Sequence, residues 1–517
     1  MFLGHLRYGT FGKNDIENVH PVSRENNWMT RSLVLAGNFN LTNIDELYER
    51  LIDLGQYPPA KTDTVTILER IGHFLDRENE DKYRYFKDKG YSKREITDLL
   101  ARHIDLMEIL SLAARRWDGG YVMAGMIGHG DAFVMRDPCG IRPAYYYRDD
   151  EVVVAASERA VIQTTFNVPY ENVQELAPGH ALLVRRDGDV SDERFIAPQE
   201  VRPCSFERIY FSRGSDQDIY RERKRLGRLL VPQILKSIDG DIENTVFSYI
   251  PNTAESAFFG LVEGLDAHCA ETRVQKIMAG RDTLTEERLH KILHYKPRIE
   301  KIAIKDVKMR TFITQDDERD DLVAHVYDVT YGTIRPDADN LVILDDSIVR
   351  GTTLRRSIIR ILDRLRPKKI VVCSSAPQIR YPDCYGIDMS RLGDFVAFRA
   401  AIELLKEHGM HDVIDDVYRK AKIQMGLERS EAVNCVKKIY EPFTDEEISS
   451  KIAQIVTAPD IHAGIEVIYQ SVENLHQAIP HHNGDWYFTG DYPTPGGNVV
   501  ANKAFINFYE NRNERAY

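Results

Sequence analysis

The stretch LVILDDSIVRGTT, residues 341–353, places two aspartates directly after four aliphatic residues. The aliphatic run predicts a buried β-strand, and the spacing of Leu354, Ile358 and Ile361 after it predicts an amphipathic helix. Ligands of open α/β sheets bind beyond the carboxyl ends of the strands. Asp345 and Asp346 fall at such an end, so this strand, loop and helix predict a ligand site in a parallel sheet.

The loop between strand and helix predicts two kinds of contact. Gly351 allows the backbone to approach a ligand closely, and free N–H groups at the helix start, with the Ser347, Thr352 and Thr353 hydroxyls, suit a monophosphate. The aspartate pair suits ribose hydroxyls or a hydrated Mg²⁺ ion. No G-x-x-x-x-G-K-[ST] stretch is present here, so this is not a Walker A loop. The alternative is a solvated aspartate pair followed by an ordinary helix cap.

The composition describes a globular protein of about two to four domains. The chain has 517 residues, of which 43% are hydrophobic, and a net charge of −12, which argues against binding to nucleic acid. The sequence contains no run of ~18 apolar residues, so we expect no membrane span. It does not open with a basic, apolar leader, so we expect no secretion. The six cysteines form no C-x-x-C pair, which favours reduced thiols in a cytoplasmic protein.

The pattern along the chain predicts three parts. Residues 1–204 alternate short apolar runs with turns around a charged helical insertion at 77–115, which is typical of an α+β domain. Residues 205–400 alternate strand and helix patterns, which predicts a parallel sheet with right-handed crossovers and places EKIAI (300–304) in a strand. Residues 401–517 form a third part that we expect to pack on the second. Its segment up to about residue 480 is helical in pattern, and a Gly/Pro/aromatic tail follows.

VILDDSIVRGTT resembles the loop that binds 5-phosphoribosyl-1-diphosphate (PRPP) in type I phosphoribosyltransferases. DDSIVRGTT is close to the form found in the glutamine PRPP amidotransferase, or amidophosphoribosyltransferase, family. The resemblance implies that Asp345 and Asp346 hold the ribose hydroxyls and Mg²⁺. It implies that the 5-phosphate is held by the remaining loop residues, which are Ser347, Arg350, Gly351, Thr352 and Thr353.

Three further stretches resemble the same family. SSAPQIRYPDCYGIDMS (374–390) is similar to its S-x-P-x-I-x-x-P-x-x-Y-G-I-D segment. MRTFI (309–313) resembles the loop that closes over PRPP, with Arg310 as the implied pyrophosphate contact. YIPNTAESA (249–257) resembles the pyrophosphate-side loop, where Thr253 matches a metal ligand, although a plain turn before a helix explains this stretch equally well.

The first part resembles a class II glutamine amidotransferase domain, an Ntn-hydrolase-like α+β fold. GHLRYGTFG (4–12) implies that Arg7 binds the α-carboxylate of glutamine with a planar fork, and KTDTVTIL (61–68) implies that Asp63 binds its α-ammonium group. LAGNFNLTNIDEL (35–47) is similar to the oxyanion segment, with Asn38 supplying its side chain and Phe39 its backbone N–H. Phe39 replaces a glycine, so that donor requires torsion angles that tolerate a Cβ atom.

The resemblance implies the first committed step of de novo purine biosynthesis, in which PRPP and ammonia from glutamine form 5-phosphoribosylamine. It implies Mg²⁺ as cofactor, nucleotides as feedback inhibitors and a cytoplasmic homo-oligomer without nucleic acid or membrane partners. A non-catalytic PRPP or nucleotide sensor is the alternative. Two departures accompany the resemblance: DLVAHVYDV (321–329) lacks the basic cluster usual in the closing loop, and His481 and Gly484 replace two cysteines, so we expect no iron–sulfur cluster.

The nucleophile of class II glutaminases, an N-terminal cysteine, has no counterpart before Cys139. The simplest explanation is that the sequence lacks the family's first segment, and a natural relative without glutaminase activity is the alternative.

We expect the 517-residue chain to release no glutamate from glutamine, because no thiolate is placed to form the glutamyl thioester. Glutamate is measured after incubation with glutamine, with an intact member of the family as positive control. Turnover comparable to that control would contradict the expectation.

Overall fold

The computed structural model describes residues 1–6, 19–58, 60–305, 327–387 and 389–516. Two of the site residues predicted from the sequence, Arg7 and Arg310, lie outside these ranges. None of the helices in the described ranges combines the length and apolar character needed to cross a bilayer.

The first part of the chain is built on antiparallel sheets. Its strands are β1 (Val22–Arg24), β2 (Leu33–Leu41), β3 (Gly119–Ile127), β4 (Ala132–Arg136), β5 (Tyr145–Arg148), β6 (Val153–Ala156), β7 (Gln174–Glu175), β8 (His180–Val184) and β9 (Val190–Arg194). Its helices are α1 (Ile44–Asp53), α2 (Asp63–Asp88), α3 (Lys93–His103), α4 (Leu106–Ala114) and α5 (Arg159–Phe166). A six-stranded sheet has the order β1-β2-β3-β4-β8-β9, and a three-stranded sheet has the order β6-β5-β7.

The large sheet is covered on both faces. Helix α2 begins where the Thr62 hydroxyl accepts a hydrogen bond from the Val65 N–H, and its residues Ile67, Ile71 and Leu75 repeat every four positions. These side chains are buried in a core that includes β2 and β3. Tyr146 of β5 packs on the opposite face of the sheet. The predicted helical insertion is therefore present, but its first helix starts earlier, at residue 63, and belongs to the core.

The second and third parts contain the remaining elements. The strands are β10 (Thr245–Tyr249), β11 (Arg298–Ile299), β12 (Ala303–Lys305), β13 (Tyr327–Val329), β14 (Asn340–Asp345), β15 (Lys369–Ser374) and β16 (Gly464–Tyr469). The helices are α6 (Gln217–Leu229), α7 (Val231–Ser237), α8 (Glu255–Ala279), α9 (Glu286–Leu293), α10 (Ile359–Asp363), α11 (Val396–Glu407), α12 (His411–Gln424), α13 (Asp445–Val456), α14 (Val472–Ala478), α15 (Trp486–Thr489) and α16 (Pro495–Tyr509). A π-helical turn, Leu354–Ile358, leads into α10.

A parallel sheet with the order β11-β10-β14-β15-β16 forms the centre of this half. Alternate residues of β14 enter different cores, because Leu341 and Ile343 face one helical layer while Val342 and Leu344 face the other. Burial on both faces explains why the strand is aliphatic throughout. The order of strands along the chain reverses between β10 and β14, and such a switch point is where ligands bind.

Two local predictions differ from the structure. Residues 300–304 contribute to β12, which pairs with β13 in a separate two-stranded antiparallel sheet instead of joining the parallel one. The segment up to residue 480, expected to be helical, contains strand β16 at the edge of the parallel sheet. Val467, Ile468 and Tyr469 of this strand are buried, so packing against β15 outweighs the helical character of its neighbours.

A buried arginine joins the two halves. Arg142, 1% exposed, donates from Nε to the Tyr385 carbonyl oxygen at 2.9 Å and pairs with Glu207 at 2.7 Å. The Asp383 carboxylate lies 4.0 Å away. Asn40 of β2 adds a hydrogen bond from Nδ2 to the Cys384 carbonyl oxygen at 2.6 Å. The segment around residues 383–385 is therefore fastened to the antiparallel half.

Replacing Arg142 with methionine is expected to lower the free energy of unfolding by about 3–5 kcal/mol, because Glu207 and Asp383 would remain buried without their cation. Thermal and denaturant unfolding measure the change. Exposed Arg148 offers the control, because Arg148→Met should stay within about 0.5 kcal/mol. A loss of the same small size in Arg142→Met would contradict the structural role.

Candidate functional site

Three segments converge at the carboxyl edge of the parallel sheet. The register pairs Tyr249 with Leu344 and Asp345 with Ser374, so the loops after β10, β14 and β15 leave the sheet side by side. Ile250 N–H donates to the Leu344 carbonyl at 2.8 Å, and Ser375 N–H donates to the Asp345 carbonyl at 3.0 Å. The predicted residue Thr253 lies half-buried in the first of these loops, just before α8.

The two carboxylates are half-buried and close together. Asp345 Oδ1 accepts the Asp346 backbone N–H at 2.9 Å, and Asp346 Oδ1 accepts the Ser347 hydroxyl at 2.8 Å. Burial raises the pKa of Asp345 well above its usual range, and the neighbouring Asp346 charge adds to the shift. Burial also raises the pKa of Asp346 to about 6, against the opposing effects of Ser347, Arg223 and Lys305.

Among the described residues, Arg223 and Lys305 oppose the raised pKa of Asp346 without offsetting the effect of burial. Arg223, 4% exposed, faces Asp346 but is held by the Arg208 and Ser212 carbonyl oxygens at 2.8 and 2.7 Å. Mg²⁺ prefers carboxylate oxygens and keeps several waters. The donor set of Asp345 and Asp346 therefore fits a hydrated divalent cation shared with an oxygen-rich ligand.

The loop after the carboxylates requires glycine at position 351 for two reasons. Gly351 has φ = +71°, a left-handed conformation that side chains disfavour, and a Cβ atom there would lie 3.1 Å from Val396 and from Val456. Helix α11 supports the loop, because Val396 N–H donates to the Val349 carbonyl at 2.9 Å and Arg399 Nη2 to the Arg350 carbonyl at 2.7 Å.

The remaining predicted phosphate contacts lie along the same loop. Thr352 is exposed and Thr353 half-buried at the start of the helix, and Thr353 caps the helix without a side-chain bond to its N–H groups. Arg350 forms an ion pair with Asp394 at 3.4 Å. The Thr352 hydroxyl is thus accessible at the start of the helix, and Arg350 is engaged by Asp394.

Three of the residues predicted in the antiparallel half, Asp63, Phe39 and Asn38, lie among the described residues, whereas Arg7 does not. Asp63 begins α2, and its Oδ1 accepts the Thr64 N–H at 2.7 Å. Phe39 lies in the regular strand β2 without a positive φ, so the strand accommodates its Cβ atom, and its ring is part of the core. Asn38 is exposed, and a Cβ atom at Gly386 would lie 3.3 Å from its Oδ1. The structure therefore places Asn38 against the segment that Arg142 fastens.

Sequence reasoning missed His20, which connects these elements. Its Nε2 lies 3.2 Å from the Thr64 hydroxyl, and the Gly37 N–H lies 3.4 Å from its Nδ1. Its ring stacks on Phe39 with centroids 5.4 Å apart and lies 4.8 Å from the His5 ring. A histidine and proline between two turn signals carry no periodicity, so nothing in the local pattern distinguished His20.

All six cysteines are buried and free. Burial raises the pKa of the Cys139 thiol to about 12, and that thiol donates to Gln199 Oε1 at 3.3 Å. Burial also raises the pKa of Cys204 to about 12. These thiols remain protonated at neutral pH, so neither has the character of an activated nucleophile.

The fold and sites define a class of protein: an antiparallel α+β part of glutamine amidotransferase type, joined to a parallel α/β part of phosphoribosyltransferase type. No family model matches the chain. The amidophosphoribosyltransferase of Pseudomonas aeruginosa is 26% identical over 413 residues, which cover 78% of this chain and 71% of the relative. That of Bacillus subtilis is 26% identical over 414 residues, with the same coverage of both chains.

Solved structures support the same assignment of the fold. Glutamine PRPP amidotransferase from Bacillus subtilis, complexed with ADP and GMP, has a TM-score of 0.59 and 24% identity, and the match covers 95% of this chain and 82% of that one. A structure described as the allosteric regulatory enzyme of purine biosynthesis also gives 0.59, at 23% identity. The predicted resemblance and fold class are confirmed: this chain is a relative of amidophosphoribosyltransferases, which are phosphoribosyl-transferring glycosyltransferases.

Replacing Asp346 with asparagine is expected to stabilise the cation-free protein by about 1–3 kcal/mol at pH 7.5. The pKa of Asp346 in the folded protein is raised to about 6. Its contribution to the stability of the fold is therefore fully present below the pKa of the unfolded chain and is lost as the pH rises through about 6. The extra stability of Asp346→Asn over the wild type should nearly vanish at pH 4.

Melting temperatures of wild type and variant are compared at both pH values in the presence of a chelator. Exposed Asp150 supplies the control, because Asp150→Asn should show no such pH dependence. An equal gain at pH 4 and pH 7.5 would show that the stabilisation has another origin.

Proposed function

We propose that this chain is an amidophosphoribosyltransferase that forms 5-phosphoribosylamine and pyrophosphate from PRPP and ammonia. The observation that carries the proposal is the Asp345–Asp346 pair followed by the Gly351 loop, at the switch point between β10 and β14. The similarity to amidophosphoribosyltransferases over about four fifths of the chain supports it independently.

Each end of the site has its own role in the proposal. Asp345 and Asp346 accept hydrogen bonds from the ribose hydroxyls and, with Thr253, would hold Mg²⁺. Ser347, Arg350, Gly351, Thr352 and Thr353 bind the 5-phosphate through hydroxyls, backbone N–H groups and one guanidinium. Arg310, outside the described residues, contacts the pyrophosphate. Bound Mg²⁺ would supply positive charge for the pyrophosphate as it leaves C1 of the ribose.

The antiparallel half supplies the ammonia in this proposal. Arg7 and Asp63 bind the two ends of glutamine, and the Asn38 side chain with the Phe39 N–H stabilises the oxyanion. The contact between Asn38 and Gly386 supports transfer within the protein, because it brings the glutaminase strand against the segment that follows the phosphoribosyltransferase strand β15.

Several wider features are also proposals. We assign residues 1–204, 205–400 and 401–517 to a glutaminase part, a phosphoribosyltransferase part and an extension that completes the sheet with β16. Nucleotides are proposed as feedback inhibitors, supported by the ADP and GMP in the related Bacillus subtilis complex. A homo-oligomer is proposed from the resemblance to the family, and a cytoplasmic location without nucleic-acid or membrane partners is proposed from the composition of the chain.

Incubating the chain with PRPP, Mg²⁺ and ammonium is expected to release pyrophosphate, because ammonium replaces the glutaminase product. Asp345→Asn and Asp346→Asn should each reduce the rate about a hundredfold or more, while Asp337→Asn, which alters an exposed ion pair with Arg366, should not. PRPP binding without pyrophosphate release from the wild type would instead indicate a sensor. Release that is unaffected by the aspartate variants would refute the assigned site.

A further inference from the structure

A second cavity lies between the two halves of the protein, away from the residues assigned to PRPP and glutamine. Its volume is about 620 Å³, and its walls come from β5 and the following segment, from helix α6 and from residues 480–482. Volumes of this size accommodate small-molecule ligands. We call it the arginine cavity, because Arg159, Arg208, Arg221 and Arg225 all line it.

Most acidic groups of the arginine cavity are already neutralised. Glu222 pairs with buried Arg208 at 2.6 Å, and Asp218 pairs with Arg159 at 3.2 Å. Glu175 pairs with Arg136 at 2.7 Å. Among the acidic residues that line the cavity, this leaves Glu171 without an arginine in the described part of the chain.

Two arginines of the cavity are not matched by these acids. Arg221 and Arg225 are one helical turn apart on α6, so their side chains share one face. Both are exposed, and no carboxylate of the described residues pairs with either. Arg225 makes only a long hydrogen bond, 3.4 Å, to the Ala478 carbonyl.

His482 also lines the arginine cavity. Burial lowers its pKa to about 3, and Arg208, Arg136, His481 and Arg159 lower it further. Its Nδ1 is buried, and no described residue forms a hydrogen bond with it. The imidazole is therefore neutral at pH 7 and adds no positive charge to the cavity wall.

We propose that the arginine cavity binds a small phosphate-bearing anion, with the phosphate held by Arg221 and Arg225. Two guanidinium groups provide planar donor pairs suited to phosphate oxygens. Tyr145 and Tyr170 flank Arg159, with the guanidinium carbon 5.0 and 4.2 Å from their ring centroids. These rings give the wall an apolar surface for the organic part of a ligand.

Calorimetric titration of the full chain in chloride buffer tests the proposal with two probes, inorganic phosphate and adenosine monophosphate. A background variant, Ser347→Ala/Thr352→Ala/Thr353→Ala, weakens the phosphate loop so that the remaining binding reports the arginine cavity. In that background Arg221→Gln/Arg225→Gln should weaken binding about tenfold or more. Arg228→Gln is the control: it lies on the same helix but pairs with Glu263 outside the cavity, and it should leave affinity within about twofold.

The outcomes separate the possible ligands. Stronger binding of adenosine monophosphate than of inorganic phosphate indicates a nucleotide, and equal binding indicates a simple phosphate site. Loss of all binding in the loop variant, or binding unchanged by Arg221→Gln/Arg225→Gln, overturns the proposal. The single variants are titrated if the double variant loses its thermal transition. If the loop variant binds both probes as tightly as the wild type does, the result counts against the PRPP site in the loop and leaves the cavity proposal intact.

Discussion

The placement of two adjacent carboxylates at the end of a buried parallel strand is the constraint on which the phosphoribosyltransferase half depends. Their backbone is fixed on both sides, because β14 pairs with β10 and β15, and the Ala376 N–H donates to the Asp346 carbonyl at 3.1 Å. Burial and the neighbouring charge both disfavour ionisation of these carboxyl groups, and a bound cation would relieve their repulsion.

The same edge of the sheet also determines how the two halves meet. The chain leaves β15 at Ser374 and reaches the segment 383–386 within a few residues, and that segment contacts Arg142, Asn40 and Asn38 of the antiparallel half. Strand β2 and the carboxyl edge of the parallel sheet are thus joined by one short stretch of chain. Such an arrangement suits a reaction in which one half supplies a reactant to the other, because a rigid contact fixes the separation of the two sites.

The parallel sheet and the glycine of the loop after β14 could be predicted from the sequence because both depend on local patterns, whereas the phosphate-binding role of that loop stays a prediction. Aliphatic runs define strands buried on two faces, and Gly351 is demanded by its own torsion angle and by the close approach of Val396 and Val456. Long-range contacts had no such signal. Arg142 and Tyr385 are 243 residues apart, His20 gains its role only beside Thr64 and Phe39, and β16 is recognised as a strand only when β15 is there to pair with it.

The net charge of −12 makes local electrostatics decisive for any phosphate ligand. A protein of this charge repels a polyanion at long range, and the carboxylates of the main site add to that repulsion at short range. In the proposed main site the phosphate end offers backbone N–H groups, hydroxyls and the Arg350 guanidinium, and a divalent cation would neutralise the carboxylate end. In the arginine cavity the proposed phosphate contacts are the side-chain charges of Arg221 and Arg225, since ion pairs already neutralise most of the acidic residues there. Both arginines are exposed, and salt screens exposed charges strongly, so phosphate binding in the cavity should weaken as the ionic strength rises.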